Sequence, residues 1–412
     1  MRHSFLGILS IIATGLLVTL LLFGVLSPDD LVHGILGNAD LQPWKILTIF
    51  FTVAYVAVSA DQTGIFAFLA HRVIHLSHGD GKRLFLFFFL FAGAMTLVTS
   101  NDIVILTLTP IIFYLGRFAK VNVLPFLFAE FFAAHTMSMG LYTGDPTNII
   151  VASTFGFGFL EFSQIMILPA IVATVSSYLL LRFRFRKDIT GTFRELDRSD
   201  LIPSWPDAIT SVVLLLGMLA TLVASDFLPW EIWTITAFFA LVTLLKDSLL
   251  AFAIRGRLTR TLRNIPWLIL PFVACVFTFV QVFVDGSWMS PFSAALSLAT
   301  GPKQAIALFG VLGVVFSNLI NNQPATIFLT HALVHPSFDA SLQTLRAGAF
   351  ALVVASNLGA TFTIMGAFAG IMWQKILREK DFSVSYRQFI KTTLAIALPV
   401  LILTLLSLTL VV

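Results

Sequence analysis

Thr99-Ser100-Asn101-Asp102 interrupts one long apolar run of this sequence, and Asn318-Leu319-Ile320-Asn321-Asn322-Gln323 interrupts another. Each lies at the turning point of an apolar stretch. Polar groups at membrane depth persist only when buried in protein or lining a watery cavity. Two such breaks, one per half of the chain, point to a central site of the transporter type.

The composition fixes the solvent. The 412 residues are 58% hydrophobic and 11% charged, with a mean hydropathy of +0.95. Soluble domains carry about 25% charged residues, so this reads as an all-α polytopic membrane protein. The net charge of +4 belongs to short loops between spans and is no signal for nucleic acid. Cys275 is the one cysteine, which rules out a disulfide framework or a thiolate metal cluster. There is no phosphate loop, zinc motif or nucleophile elbow, so no enzyme, cofactor or metal is expected. His71, His75 and His78 have helical spacing but sit at a basic interfacial end beside Arg72.

A span needs about 20 apolar residues. Spans are expected at roughly 5–26 (retained, too long for a signal peptide), 44–70, 163–183, 206–224, 230–250, 266–284 and 386–411. Basic loops set orientation. Arg182, Arg184, Arg186, Lys187, Arg194 and Arg198 mark the longest cytoplasmic loop. Arg255 to Arg263, Lys375 to Lys380 and Arg72 to Arg83 mark others, while Asp29, Asp30, Asp40, Asp226, Glu231 and Asp285 lie outside. The N-terminus is then inside and the C-terminus outside the cytoplasmic (inner) membrane.

Traced this way, the chain contains two inverted repeats, each with a re-entrant hairpin and a broken helix. The first repeat covers 1–183, with a hairpin at about 84–116 and a broken helix at about 122–160. Residues 184–229 hold a cytoplasmic loop and a linking span. The second repeat covers 230–412, with a hairpin at about 303–335 and a broken helix at about 344–373. The helix breaks are placed at Gly144-Asp145-Pro146-Thr147-Asn148 and at Ser356-Asn357-Leu358-Gly359, about 43 and about 37 residues after their hairpin tips. This is the plan of a secondary transporter with its site at the repeat interface.

If the four breaks meet, the solute candidates are Asn101, Asp102, Thr147, Asn148, Asn321, Asn322, Asn357 and Thr361. Amides and hydroxyls donate and accept, which suits a hydroxylated or oxyanion solute. Carbonyl ends with Asp102 and Asp145 suit a cation or proton instead. The candidates for proton coupling are Asp102, Asp145, Glu130 and His135, because an ionisable group at membrane depth is a functional candidate by default. An aspartate at a helix start also serves as a cap, and one residue can do both. His135 and His331 equally fit satisfied core histidines. Lys246 and Asp247 at the end of a span read as snorkelling.

Several motifs resemble a known family. Asn101-Asp102 through Leu106-Thr107-Leu108-Thr109-Pro110-Ile111 resembles the Asn-Asp…Leu-Thr-Pro hairpin of ArsB-type arsenite/antimonite efflux permeases. Ser317-Asn318 to Asn321-Asn322-Gln323-Pro324 is similar to their Asn-Asn-Leu-Pro element, and Asn357-Leu358-Gly359 to Gly366-Ala367-Phe368-Ala369 and Trp373 to a late glycine-rich segment. Gly144-Asp145-Pro146-Thr147-Asn148-Ile149-Ile150 looks closer to the melanosomal P-protein branch of the same ion transporter superfamily. The Ser-Asn-Thr pairs of its dicarboxylate branch are replaced by Ser100-Asn101-Asp102 and Asn321-Asn322-Gln323.

The resemblance implies export of arsenite and antimonite against inward proton movement, by an elevator motion of hairpins and broken helices against a scaffold. Arsenite near neutral pH is mostly an uncharged trihydroxide, and one cysteine cannot bind it through several thiolates. Oxygen contacts from Asn101, Asn321, Asn322 and Thr147 would hold it, with Asp102 or Asp145 carrying protons. The implied partners are this inorganic solute, protons and the lipid bilayer, with an ATPase subunit or a second copy left open. Cation/proton antiport and sodium-coupled organic-anion transport stay open as alternatives.

Overall fold

The computed structural model describes residues 5–24, 26–37, 42–119, 121–189, 202–250, 256–265, 267, 269–285 and 288–412. Arg194, Arg198, Arg255 and Asp40, whose charges helped set the expected topology, lie outside the described residues.

The chain begins with α1 (Phe5–Leu22), a short α2 (Pro28–Leu36), α3 (Pro43–Asp61) and α4 (Ile65–Leu76). The single span expected over 44–70 is therefore two helices. Between them Gly64 takes φ +81°, a left-handed conformation open to a residue without Cβ. Thr63 holds the corner: its hydroxyl donates to Ala60 O (2.6 Å) and accepts from Ile65 N (3.2 Å).

Helices α5 (Gly81–Val98) and α6 (Asn101–Ala119) form the first hairpin, and α7 (Val123–Ser138) with α8 (Pro146–Phe155) the first broken helix. The long α9 (Phe159–Arg184) follows, and α10 (Trp205–Val223) links to the second half. There α11 (Ile232–Leu250), α12 (Arg257–Asn264), α13 (Ile269–Asp285) and α14 (Met289–Leu296) lead to the second hairpin, α15 (Pro302–Ile320) and α16 (Asn322–Val334). The second broken helix is α17 (Leu342–Leu358) with α18 (Phe368–Glu379), and α19 (Tyr386–Leu408) closes the fold. The described residues contain no β-strand, and eight of their helices are long and apolar enough to cross a membrane.

One boundary differs from expectation. Ser356, Asn357 and Leu358 are the last residues of α17, and the second break runs from a 3-10 turn at Gly359–Phe362 to Ala367. The two polar side chains mimic a break in the sequence, whereas the true one is largely apolar.

Packing follows one scheme in both halves. Helix α5 lies along α7, and α15 along α17; the second hairpin arms cross over, α6 onto α18 and α16 onto α8. Helix α3 packs against α11, and α13 against α1. This exchange of partners is what two repeats facing each other produce. Phenylalanines fill the interior: Phe85, Phe88, Phe126, Phe128 and Phe131 are fully buried, and Trp373 packs between Phe128, Phe131 and Phe389. Others, such as Phe183 and Phe238, are exposed on the outer face with Leu179, Leu241 and Leu406.

Candidate functional site

The first break is built around the end of α7. Gly144 folds back over Ser138, where a Cβ would lie 2.1 Å from the Ser138 carbonyl oxygen; glycine alone fits. Asp145 then caps α8, accepting from Thr147 N (2.8 Å) and the Thr147 hydroxyl (2.7 Å). Asn148 Nδ2 donates to the carbonyl of Ser138 (2.8 Å), the last residue of α7, and to that of Leu141 (2.9 Å), which also accepts from Gly144 N (3.1 Å),. The first hairpin tip docks here. Asn101 N donates to Gly144 O (3.4 Å), and Asn101 Nδ2 to Asp145 Oδ2 (2.5 Å).

The second break repeats this plan. Asn322 N donates to Gly366 O (2.8 Å). A Cβ on Gly366 would lie 2.2 Å from Ala360 O. Asn321 turns the hairpin at φ +77° and ties its Nδ2 to Met365 O (3.0 Å). Gly144 thus corresponds to Gly366 and Asn101 to Asn322. The same register pairs Asp102 with Gln323, Asp145 with Ala367 and Glu130 with Leu352. The scaffold is duplicated, but these three acids occur only in the first repeat.

Side chains join the halves. The Ser356 hydroxyl donates to Thr147 Oγ1 (3.1 Å), and Asn322 Nδ2 donates to Ser356 O (3.2 Å). A continuous path therefore runs from Asn101 through Asp145, Thr147 and Ser356 to Asn322, tip to tip. A second link runs from Ser138 Oγ to Asn357 Oδ1 (2.6 Å) and from Asn357 Nδ2 to Asn148 Oδ1 (2.9 Å). No lysine or arginine among the described residues takes part.

Of the sequence-predicted residues, Asn101, Asp145, Thr147, Asn148, Asn322 and Asn357 meet in this network, and Asn321 borders it. Asp102 sits beside it, buried at 5% exposure, its carboxylate accepting no hydrogen bond among the described residues. Glu130 and His135 lie apart, deeper along α7. Glu130 is fully buried, with the Thr109 hydroxyl 3.0 Å from both its oxygens. His135 Nδ1 lies 2.8 Å from Phe131 O, and its ring packs on Phe131 at 4.4 Å. Thr361 spends its hydroxyl proton on Leu358 O (2.6 Å) within its own turn.

Sequence reasoning missed Ser138 and Ser356 as bridges. Ser138 is six residues before Gly144 and Ser356 ten before Gly366, spacings too weak as signals to single either out. It also misread Lys246 and Asp247. Lys246 Nζ reaches Asp207 (3.0 Å) and Asp247 (3.1 Å), and Arg257 reaches the same two acids at 3.4 Å each. Tyr55 and Ser59 of α3 donate to Asp247, each at 3.1 Å. This cluster is buried between α3, α10, α11 and α12, so snorkelling is the wrong account of it. Two acids and two bases near the ends of neighbouring elements were the available clue.

The chain matches the family described as "CitMHS: Citrate transporter" over residues 6–355. It is 30% identical over 401 residues to the arsenical pump membrane protein of Escherichia coli (strain K12), covering 92% of this chain and 90% of that one. It is 24% identical over 365 residues to a 46 kDa membrane protein of Mycobacterium leprae (strain TN), covering 86% and 83%. Among solved structures, the YdaH transporter of Alcanivorax borkumensis, described as having an unusual topology, aligns with a TM-score of 0.59 at 14% identity, over 92% of this chain and 86% of that one. That likeness is one of fold.

Proposed function

This chain belongs to the CitMHS family of the ion transporter superfamily, together with the arsenical pump membrane proteins, and on that premise we propose that it exports arsenite and antimonite across the cytoplasmic membrane in exchange for protons. The N-terminus lies inside and the C-terminus outside. The two repeats comprise residues 1–183 and 230–412, joined through 184–229. Both hairpins and both broken helices move as one unit against the remaining helices, carrying the solute from one side to the other.

The observation that carries this reading is the tip-to-tip polar path with Asp102 unpaired beside it. Asn101, Thr147, Asn148, Asn321, Asn322 and Asn357 supply donors and acceptors suited to an uncharged trihydroxide. Thr361 borders the second break, where its hydroxyl oxygen is left to accept. Asp102 takes up a proton as the solute leaves and releases it on the return, with Asp145, Glu130 and His135 as further carriers. The absence of a lysine or arginine from the path disfavours a multiply charged anion.

A second reading draws on the family's description as citrate transporters. A carboxylate solute would need bound cations beside Asp102 and Asp145, so that reading requires sodium dependence. Proteoliposomes decide between them. Under an imposed pH gradient, wild-type protein should move arsenite without sodium, and Asp102→Asn should lose the response to the gradient. Sodium-dependent citrate flux without arsenite flux would replace the first reading with the second.

A further inference from the structure

The corner between α3 and α4 holds an acid outside the polar path. Asp61 is the last residue of α3, partly buried between two apolar helices. Gly64 N donates to its carbonyl oxygen (2.9 Å), which fixes it at the corner. The first hairpin arm α6 packs against both α3 and α4. An ionisable group among apolar membrane helices is a functional candidate by default.

Helix α6 presents two threonines to two carboxyls. Thr109 Oγ1 lies 3.0 Å from both oxygens of Glu130 on α7. Thr107, two residues earlier and so on the other face of the helix, lies against the Asp61 carboxyl. This second pair does not meet the geometry of a hydrogen bond, and Thr107 Oγ1 is buried with no partner among the described residues. Buried polar atoms almost always have a partner, and each exception calls for an explanation. The second hairpin lacks the hydroxyl. The register that matches Asn101 with Asn322 puts Phe328 in place of Thr107, and Phe328 packs on Phe292 and Phe316 at 5.0 and 5.6 Å.

Asp61 also lacks a cation of its own, with no ion pair among the described residues. The elements packed around α3 carry Asp207, Lys246, Asp247 and Arg257, with Asp102 on α6 and Asp145 ahead of α8; His71, Arg72 and His75 lie further along α4. Of these, Arg257 is the one charge that reaches Asp61. Arg257 is already committed to Asp207 and Asp247 (3.4 Å each) and to Ser59 O (2.6 Å). That cluster of two acids and two bases is neutral without Asp61.

We propose that Asp61 is a proton-exchanging latch on the fixed side of the boundary, which holds or releases the first hairpin through Thr107. This rests on the transport reading above, in which α6 moves and α3 stays. Asp61 is a positioning residue: it acts on the hairpin and does not touch the solute. Ionised, it draws in the Thr107 hydroxyl, because a buried charge left without a hydrogen bond is costly, and α6 is held in register. When a proton binds one carboxyl oxygen, the charge is gone. The neutral group can then pass Ile103, Val104 and Ile111, the α6 residues one turn from Thr107, and the arm slides.

The test uses the full chain in lipid, with arsenite as the probe. Infrared pH-difference spectra should show a carboxyl band that Asp61→Asn removes and Thr107→Val shifts. In proteoliposomes without an imposed gradient, arsenite exchange by Asp61→Asn, which stays neutral, is compared with wild type. The ratio of the two rates should rise from about one at mildly acidic pH to about ten at mildly alkaline pH, the least expected of a hydrogen bond to a charged group. Thr107→Val should move the wild-type pH profile to higher pH, and Thr107→Ser, which keeps the hydroxyl, should restore it.

A band untouched by Asp61→Asn, or a rate ratio that is the same at every pH, overturns the latch and leaves the transport reading standing. A purely structural Asp61 predicts that flat ratio. Should Asp61→Asn fail to fold, the threonine variants decide, and Thr107→Val with the wild-type band and profile overturns the latch. No arsenite exchange by the wild type at any pH removes the transport reading, and the latch with it.

Discussion

Gly144 and Gly366 show how much one missing methyl can carry. At each, a Cβ would lie within 2.3 Å of a backbone carbonyl oxygen six residues earlier, and backbone cannot step aside as a flexible side-chain end can. The glycine carbonyl is also the acceptor for a hairpin tip. Replacing either with alanine should both distort the break and undock the tip, costing about 2–4 kcal/mol, the range reserved for strained or overpacked sites. Gly301→Ala is the control, since nothing lies within 4 Å of its added Cβ, and it should stay within about 0.5 kcal/mol of wild type. Thermal unfolding of detergent-solubilised protein measures all three. These glycines were visible in the sequence only as parts of motifs. Their pairing was not, because it rests on which carbonyl each one covers.

Among the elements, the hairpins were legible and the helix breaks only partly so. Thr99 to Asp102 and Asn321 to Gln323 are polar runs inside apolar ones, and lipid gives such runs no other refuge. Ser356 and Asn357 misplaced the second break because polar residues facing a partner inside the protein resemble a loop. Asn357 in fact finds Ser138 and Asn148, 219 and 209 residues away. The corner at Thr63-Gly64 was read through, although Asp61 and Gln62 just before it make a polar run inside the apolar stretch. The start of α5 allows a test at this scale. Asp80, in the turn between α4 and α5, accepts from Lys82 N (2.8 Å) and Arg83 N (3.0 Å). Those backbone hydrogen bonds, with the nearby Arg83 and Lys82 charges, hold its carboxyl below the usual carboxylate range. A lowered folded-state value means the stabilisation is present above the unfolded value and is lost as pH falls through the folded one. Asp80→Asn should therefore lower the melting temperature at neutral pH, where the wild-type carboxylate is charged, and the two profiles should converge as pH falls.

At the scale of the whole molecule, the Asp207, Lys246, Asp247 and Arg257 cluster fastens α3, α10, α11 and α12 into one body. Arg257 Nη2 adds a hydrogen bond to Ser59 O (2.6 Å). Its members are up to 50 residues apart, and the α3 partners Tyr55 and Ser59 lie 192 and 188 residues before Asp247, so no local pattern announced it. Removing one partner from a buried ion cluster strands the others, at about 3–5 kcal/mol. Asp247→Ala should show that loss in thermal unfolding, and removing Asp247 and Arg257 together should cost less than the two single losses added. In the proposed transport motion, tying the linking span to spans of both repeats would keep this body still.

The confinement of three carboxyls to one repeat has an electrical meaning. A moving unit that shifts an ionised Asp102 in depth, with no lysine or arginine in the path beside it, moves charge through the membrane field. Each elementary charge crossing the full field is worth about 2.3 kcal/mol per 100 mV. The membrane potential would thus pull differently on the loaded and empty legs of the cycle, setting which leg limits turnover. Wild-type protein adsorbed on a solid-supported membrane should give a transient current when arsenite is added. Asp102→Asn should bind arsenite with that current reduced or gone, and a full-sized current would place the moving charge elsewhere.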